Sequence, residues 1–198
     1  MSVTSIKIGS KPSISVDYYG QGEMVLFLHG IGGNKKNWKN NISFFSKQFL
    51  AVALDTRGYG ESDDYNGELD FNDVLDDLKK VIDFFDKDKA HIVGLSMGGQ
   101  IATLFYNKYP SYVKTLTLCD THFGLSNLSP SEIEKFINLR KEPLINGKEP
   151  KDIAPIVAST LIGDVNNKSA YEQLVNSMEL LHKESYLKTI ETSMRTEH

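Results

Sequence analysis

Five residues, Gly94-Leu95-Ser96-Met97-Gly98, follow the apolar run from His91 to Val93 and open a helix-like stretch over 97–109. A serine hydroxyl becomes a useful nucleophile only when a base takes its proton. Its position must also be fixed, and the G-x-S-x-G spacing meets that need. A sharp strand-to-helix turn holds the serine in strained dihedrals, so the neighbours two residues away must lack side chains. The helix that follows aims free N–H groups and its positive dipole end at charge developing on a substrate. The bland alternative is a glycine-rich turn with a structural serine; the strand before the motif and the helix after it favour chemistry.

An oxyanion needs a second N–H, offered from a loop beside the serine turn. The stretch from His29 to Trp38, HGIGGNKKNW, supplies a glycine-rich loop after an apolar run, where backbone can approach closely. His29 ends that run and reads better as a loop-holding hydrogen-bonding group than as the base. Trp38 suits either core packing or a pocket wall. The stretch DTRGYGES (55–62) lacks the G-K-[ST] ending of a phosphate loop, and reads as a tight turn in which Arg57 and Asp55 tie strand ends together.

The base has five candidates: His29, His91, His122, His182 and His198. His91 opens the run that carries Ser96 and lies at its far end, roughly 16 Å away at strand rise. If VKTLTLCD (113–120) is the neighbouring parallel strand, residues just past Asp120 fall within about 10 Å of Ser96. Asp120 and His122 then form a makeshift acid–base pair, or merely line the pocket floor.

These residues need a frame. SIKIG and SISVDYYG alternate like a hairpin, while MVLFLHG, LAVALDTRG, HIVGLS and VKTLTLCD are short apolar runs suited to strands covered on both faces. From Asp70, an N-cap residue, apolar positions recur at helical spacing to Phe85, and a second helix over 97–109 stops at Pro110. Strands alternating with helices imply a mostly parallel sheet with crossover helices. Residues 126–196 contain no strand pattern but four helical stretches, near 130–140, 151–162, 168–181 and 184–195, separated by Pro143, Gly147, Pro150 and GDVNN.

Composition bounds the rest. With 198 residues and a net charge of −4, the chain reads as one domain, or one domain with a modest insertion, without a basic stripe, so no nucleic-acid partner is expected. No apolar run reaches the roughly 20 residues of a membrane span, and no secretory signal is visible, so a cytoplasmic location is expected. The single Cys119, in an apolar run, reads as a buried inert thiol. No metal and no cofactor is called for.

In order and spacing, HGIGG with Trp38, DTRGYGES, GLSMGG and LTLCD resemble the α/β-hydrolase superfamily, most of all the 3-oxoadipate enol-lactonase, carbon–carbon hydrolase and small-esterase group. The resemblance covers about residues 20–125. It implies an α/β-hydrolase core over 1–125 and a helical cap over 126–198 that roofs an acyl pocket. It implies Ser96 as nucleophile, the backbone N–H groups of Ile31 and Met97 as oxyanion hole, and a small-molecule ester or lactone as substrate. Family members follow the cap with two strands that carry the acid and the histidine, and neither is expected here. A truncated hydrolase is one reading, and a non-catalytic hydrolase-fold binding module or inactive fragment is the other. Without those strands the VKTLTLC strand becomes an open edge, through which a homodimer is expected.

Overall fold

The computed structural model describes residues 3–121, 129–164 and 166–195 of the 198-residue chain. Six strands form one sheet: β1 (Thr4–Ile8), β2 (Ile14–Tyr19), β3 (Met24–Leu28), β4 (Leu50–Leu54), β5 (Ala90–Leu95) and β6 (Val113–Cys119). Their order is β1-β2-β4-β3-β5-β6. β1 pairs with β2 antiparallel, as the alternating hairpin pattern predicts, and β2 also pairs antiparallel with β4. The pairs β4–β3, β3–β5 and β5–β6 are parallel. All five residues of β3 and of β4 are buried, which is why these strands read as unbroken apolar runs rather than alternation.

The connections are helical: α1 (Lys39–Phe45), α2 (Phe71–Phe84) and α3 (Met97–Lys108). Asp70 caps α2 by accepting from the Asn72 N–H, and the helix buries Val74, Leu75, Leu78, Val81 and Ile82 on one face. α1 carries no side-chain cap, and nothing in its sequence announced it. Trp38 packs on Phe27, with ring centroids 5.0 Å apart, in a small cluster with Ile42, Ala51 and Ala53. Its role is core packing and not pocket wall.

Four further helices follow the sheet: α4 (Pro130–Ile145), α5 (Pro150–Leu161), α6 (Lys168–Glu179) and α7 (Lys183–Arg195). Pro143 was expected to separate helices, yet it lies inside α4. It occupies the last turn, where a lost N–H frees only the carbonyl of Leu139, itself an exposed residue. Among the described residues no strand follows Cys119, and no helix is long and apolar enough to cross a membrane. β6 is the last strand of the sheet and Cys119 is half-buried, so the fully buried thiol expected from sequence is corrected by its place on an edge strand.

Candidate active site

The chain runs from β3 outward to β4, then returns to β5 on the other side of β3. The carboxyl ends of β3 and β5 therefore flank a point where the winding reverses, the place where open α/β sheets leave a crevice. Leu28 is in register with Gly94, so the loop after β3 and the turn after β5 emerge side by side.

Ser96 occupies that turn with φ +50° and ψ −115°, a left-handed conformation foreign to an L-residue, and it heads α3. The flanking glycines explain how the turn closes. A Cβ on Gly94 would stand 2.3 Å from the Gly98 carbonyl oxygen, and one on Gly98 would stand 2.3 Å from the Leu28 carbonyl oxygen. Only hydrogen fits at either position, which pulls the first turn of α3 against β3 and β5. The strained backbone expected of the motif is present. As the first residue of α3, Met97 has an N–H without an intrahelical acceptor.

The loop after β3 reaches the same place. A Cβ on Gly30 would lie 3.5 Å from the Cβ of Ser96, so Gly30 runs directly beside the serine. His29 holds this loop. It is buried, and its Nε2 accepts the Thr56 N–H at 3.1 Å while its Nδ1 donates to the Gly30 carbonyl at 2.8 Å. Since a backbone N–H can only donate, Nε2 carries no proton and the ring is neutral. Burial pushes its pKa down, against the opposing pull of the Gly30 carbonyl and Asp55. Tyr59, its ring tilted by 47° and centred 5.0 Å from the His29 ring, donates its hydroxyl to the Ile31 carbonyl at 3.0 Å. Burial raises the Tyr59 pKa well above the ordinary tyrosine value, so the hydroxyl stays a donor.

The loop after β4 is fixed by charge. The Asp55 carboxylate accepts the N–H groups of Lys35 and Glu61 at 2.7 and 2.9 Å. The Lys35 side chain is 1% exposed and reaches Glu61 at 2.6 Å, with Asp17 and Asp55 each at 3.4 Å. Burial alone would lower the Lys35 pKa, but these carboxylates outweigh it and raise it. Arg57 was expected to tie strand ends with Asp55. It instead bonds Asp77 at 2.7 Å and Asp73 at 2.6 Å, both on α2, because its longer side chain reaches the neighbouring helix.

β6 flanks the serine turn. Leu95 and Cys119 are in register, so Ser96 and Asp120 leave adjacent strand ends together, and Asp120 also has a positive φ, +43°. Asp120 is exposed. His122, the other half of the expected acid–base pair, lies outside the described residues, as does His198. Of the described histidines, His29 has both nitrogens engaged. His91 sits at the opposite end of β5, bonded to Thr115 at 2.8 Å. His182 lies between the Asp64 carboxylate, 2.8 Å from Nδ1, and the Gly60 carbonyl, 3.0 Å from Nε2.

The late helices lie over this edge. Met178 of α6 packs against Gly32, where a Cβ would come within 3.2 Å of it, and Asn37 donates to the Ser177 hydroxyl at 2.8 Å. Ser185 of α7 bonds Asp64 at 2.8 Å and sits so close to Gly58 that a Cβ there would clash at 2.5 Å.

A family model described as the alpha/beta hydrolase fold matches residues 23–193, and the chain belongs to that family. Within it the chain is 32% identical over 189 residues to a 2-hydroxy-6-oxononadienedioate/2-hydroxy-6-oxononatrienedioate hydrolase of Escherichia coli K12, covering 88% of this chain and 63% of that one. Two solved structures share the fold. A thermophilic esterase from Thermogutta terrifontis has a TM-score of 0.81 at 24% identity, over 100% of this chain and 74% of the other. The enol-lactonase from Burkholderia xenovorans LB400 has a TM-score of 0.81 at 17% identity, over 98% and 74%. The chain spans between 29% and 63% of the length of the curated relatives it matches.

Proposed function

We propose that this chain carries the serine nucleophile of a hydrolase acting on a small ester or lactone. The Ser96 oxygen attacks the acyl carbon, and the N–H groups of Met97 and Ile31 hold the oxyanion. The C–O bond to the alcohol then breaks as the serine proton passes through a base to the departing alcohol oxygen, leaving an acyl-enzyme that water hydrolyses to the acid. Helices α4–α7 form a cap whose side chains shape the acyl pocket, a role supported by Met178 and Ser185 pressing on the loops after β3 and β4. The observation that carries the reading is the left-handed Ser96 at the head of α3, beside Gly30. Strain of that kind costs about 1–3 kcal/mol and persists where the surroundings enforce it, most often at functional sites. The E. coli relative, named as a hydrolase, supports the same reaction class.

The three described histidines are each engaged elsewhere, which supports a base outside the described residues. A triad enzyme without its base retains about 10³–10⁴-fold over water from its oxyanion hole and binding alone. The test is p-nitrophenyl acetate hydrolysis by the wild type, Ser96→Ala and His122→Ala. A robust rate of at least about 1 s⁻¹, lost in both variants, makes Asp120 and His122 the relay. A weak rate lost only in Ser96→Ala places the base elsewhere. A rate indifferent to Ser96 overturns the proposal and leaves a hydrolase-fold binding module.

A further inference from the structure

We infer that Thr121 is a positioning residue that orients and strengthens the Met97 N–H as an oxyanion donor. The inference rests on the reading of Ser96 and Met97 above. Cys119, Asp120 and Thr121 wrap the end of β5 at two points. The Cys119 carbonyl accepts the Ser96 N–H at 2.9 Å, and the Thr121 hydroxyl donates to the Ser96 carbonyl at 2.7 Å. Between them the left-handed Asp120 turns the chain back over the serine. The fit leaves no slack: a Cβ on Gly99 would meet the Thr121 side chain at 2.6 Å.

The Ser96 carbonyl and the Met97 N–H belong to one planar trans peptide, so the oxygen and the hydrogen point in opposite directions. Whatever grips the oxygen therefore aims the N–H. The same oxygen accepts the Gly99 and Gln100 N–H groups, at 2.8 and 3.2 Å, within the first turn of α3. Thr121 adds the only grip on that oxygen supplied from outside the helix among the described residues. A hydrogen bond to the carbonyl also draws electron density from the nitrogen and makes the N–H a stronger donor, by about 10–30% per bond in condensed phases. The loop after β3 repeats the device. The Gly30 carbonyl, which shares its peptide with the Ile31 N–H, accepts from His29 Nδ1 at 2.8 Å. Each of the two expected oxyanion peptides thus has its carbonyl held by a side-chain donor.

The test uses the whole chain with Thr121→Val, which keeps the shape and deletes the hydroxyl, and Thr121→Ser, which keeps the hydroxyl. The first readout is the Met97 amide proton and Ser96 carbonyl carbon resonances, which report the peptide whether or not the protein turns over. Both move upfield in the valine variant and return in the serine variant. The second readout is the rate at which a fluorophosphonate labels Ser96, the Ser96 oxygen displacing fluoride from phosphorus and its proton passing to solvent. Labelling slows about five-fold in Thr121→Val and recovers in Thr121→Ser, the size expected for one neutral hydrogen bond. Unmoved resonances in the valine variant, or a serine variant as impaired as the valine one, overturn the inference. If the wild type does not label at Ser96, the nucleophile reading fails while the resonances still decide the role of Thr121. If the valine variant does not fold, the wild type decides: a slowly exchanging Thr121 hydroxyl proton supports the bond, and its absence rules the bond out.

Discussion

Two neighbouring turns at the carboxyl edge of the sheet are made rigid by opposite means. The loop after β4 is held by buried charge, with Lys35 set among Asp17, Asp55 and Glu61 and Arg57 clamped to α2. The turn after β5 has no ion pair at Ser96. It is held by the absence of side chains at Gly94, Gly98 and Gly99 and by backbone bonds to β6. Charge gives a firm loop whose strength varies with pH. Close backbone packing gives a firm turn that ignores pH but tolerates no added atom. The second suits the nucleophile proposed for Ser96, since a cluster of fixed charges beside it would bias the field that the proposed oxyanion must find.

The largest effect should come from the charged side. Lys35→Met leaves Asp55 buried without its cation and takes one of two from Asp17, which keeps Lys36 at 2.8 Å, and should cost about 3–5 kcal/mol in urea unfolding. The same variant should flatten the acid limb of the stability profile. Burial pushes the Asp17 pKa up, but bonds from Lys36 and Ser5 and the Lys35 charge carry it below its ordinary 3.8, and the Lys35 bond chiefly carries Glu61 below 4.5. Carboxyls depressed in the folded state give stability that is complete above those ordinary values and is lost as pH falls through the folded ones. A wild type whose stability is level down to pH 3 would contradict this.

Gly94→Ala attacks the packed side. Its methyl would sit 2.3 Å from a backbone oxygen that cannot move alone, so a loss of about 3 kcal/mol is expected, with no change in the acid limb. Ser96→Gly should do the reverse. Glycine adopts positive φ freely, so the thermal midpoint should rise by the equivalent of about 1 kcal/mol while labelling at this site disappears. An unchanged or lower midpoint would mean that the Ser96 backbone is not strained in solution. A smaller effect belongs to His29, whose pKa burial lowers from 6.5. Its neutral form stabilises fully above that value and loses ground as pH falls below it, with a slope no steeper than one proton allows. His29→Gln should remove that slope between pH 6.5 and 5, measured by urea midpoints. The smallest concerns β6, whose outer side faces no strand among the described residues. We propose weak self-association there, visible as concentration-dependent sedimentation and reduced by Thr117→Lys.

Much of this was legible in the chain. β1 and β2 announce themselves by alternation and β3 to β6 as apolar runs, most plainly β3 and β4, where burial on both faces removes the need for alternation. The Ser96 turn is legible because its steric demand falls on neighbours two residues away. What escaped was nonlocal. Nothing near Thr121 signals its bond to Ser96, since that contact exists only through the β5–β6 register. His182 meets Asp64 and Gly60 across more than a hundred residues. Arg57 was assigned the wrong acids because α2 presents Asp73 and Asp77 at a distance that only the folded crossover determines. α1 was missed because it is short, uncapped and set by the packing of Ile42 beneath it.

The late helices and the sheet share one apolar cluster, in which Ile137, Ile153, Val157, Met178, Tyr186 and Ile190 join residues of β3, β5, α2 and α3. A segment so joined does not behave as a detachable lid. Lifting it away would expose the interior on which the sheet itself depends, so the two parts are expected to unfold in a single calorimetric transition whose van't Hoff and measured enthalpies agree. Small molecules would then enter through local breathing of individual helix ends, on timescales set by those ends and not by a hinge.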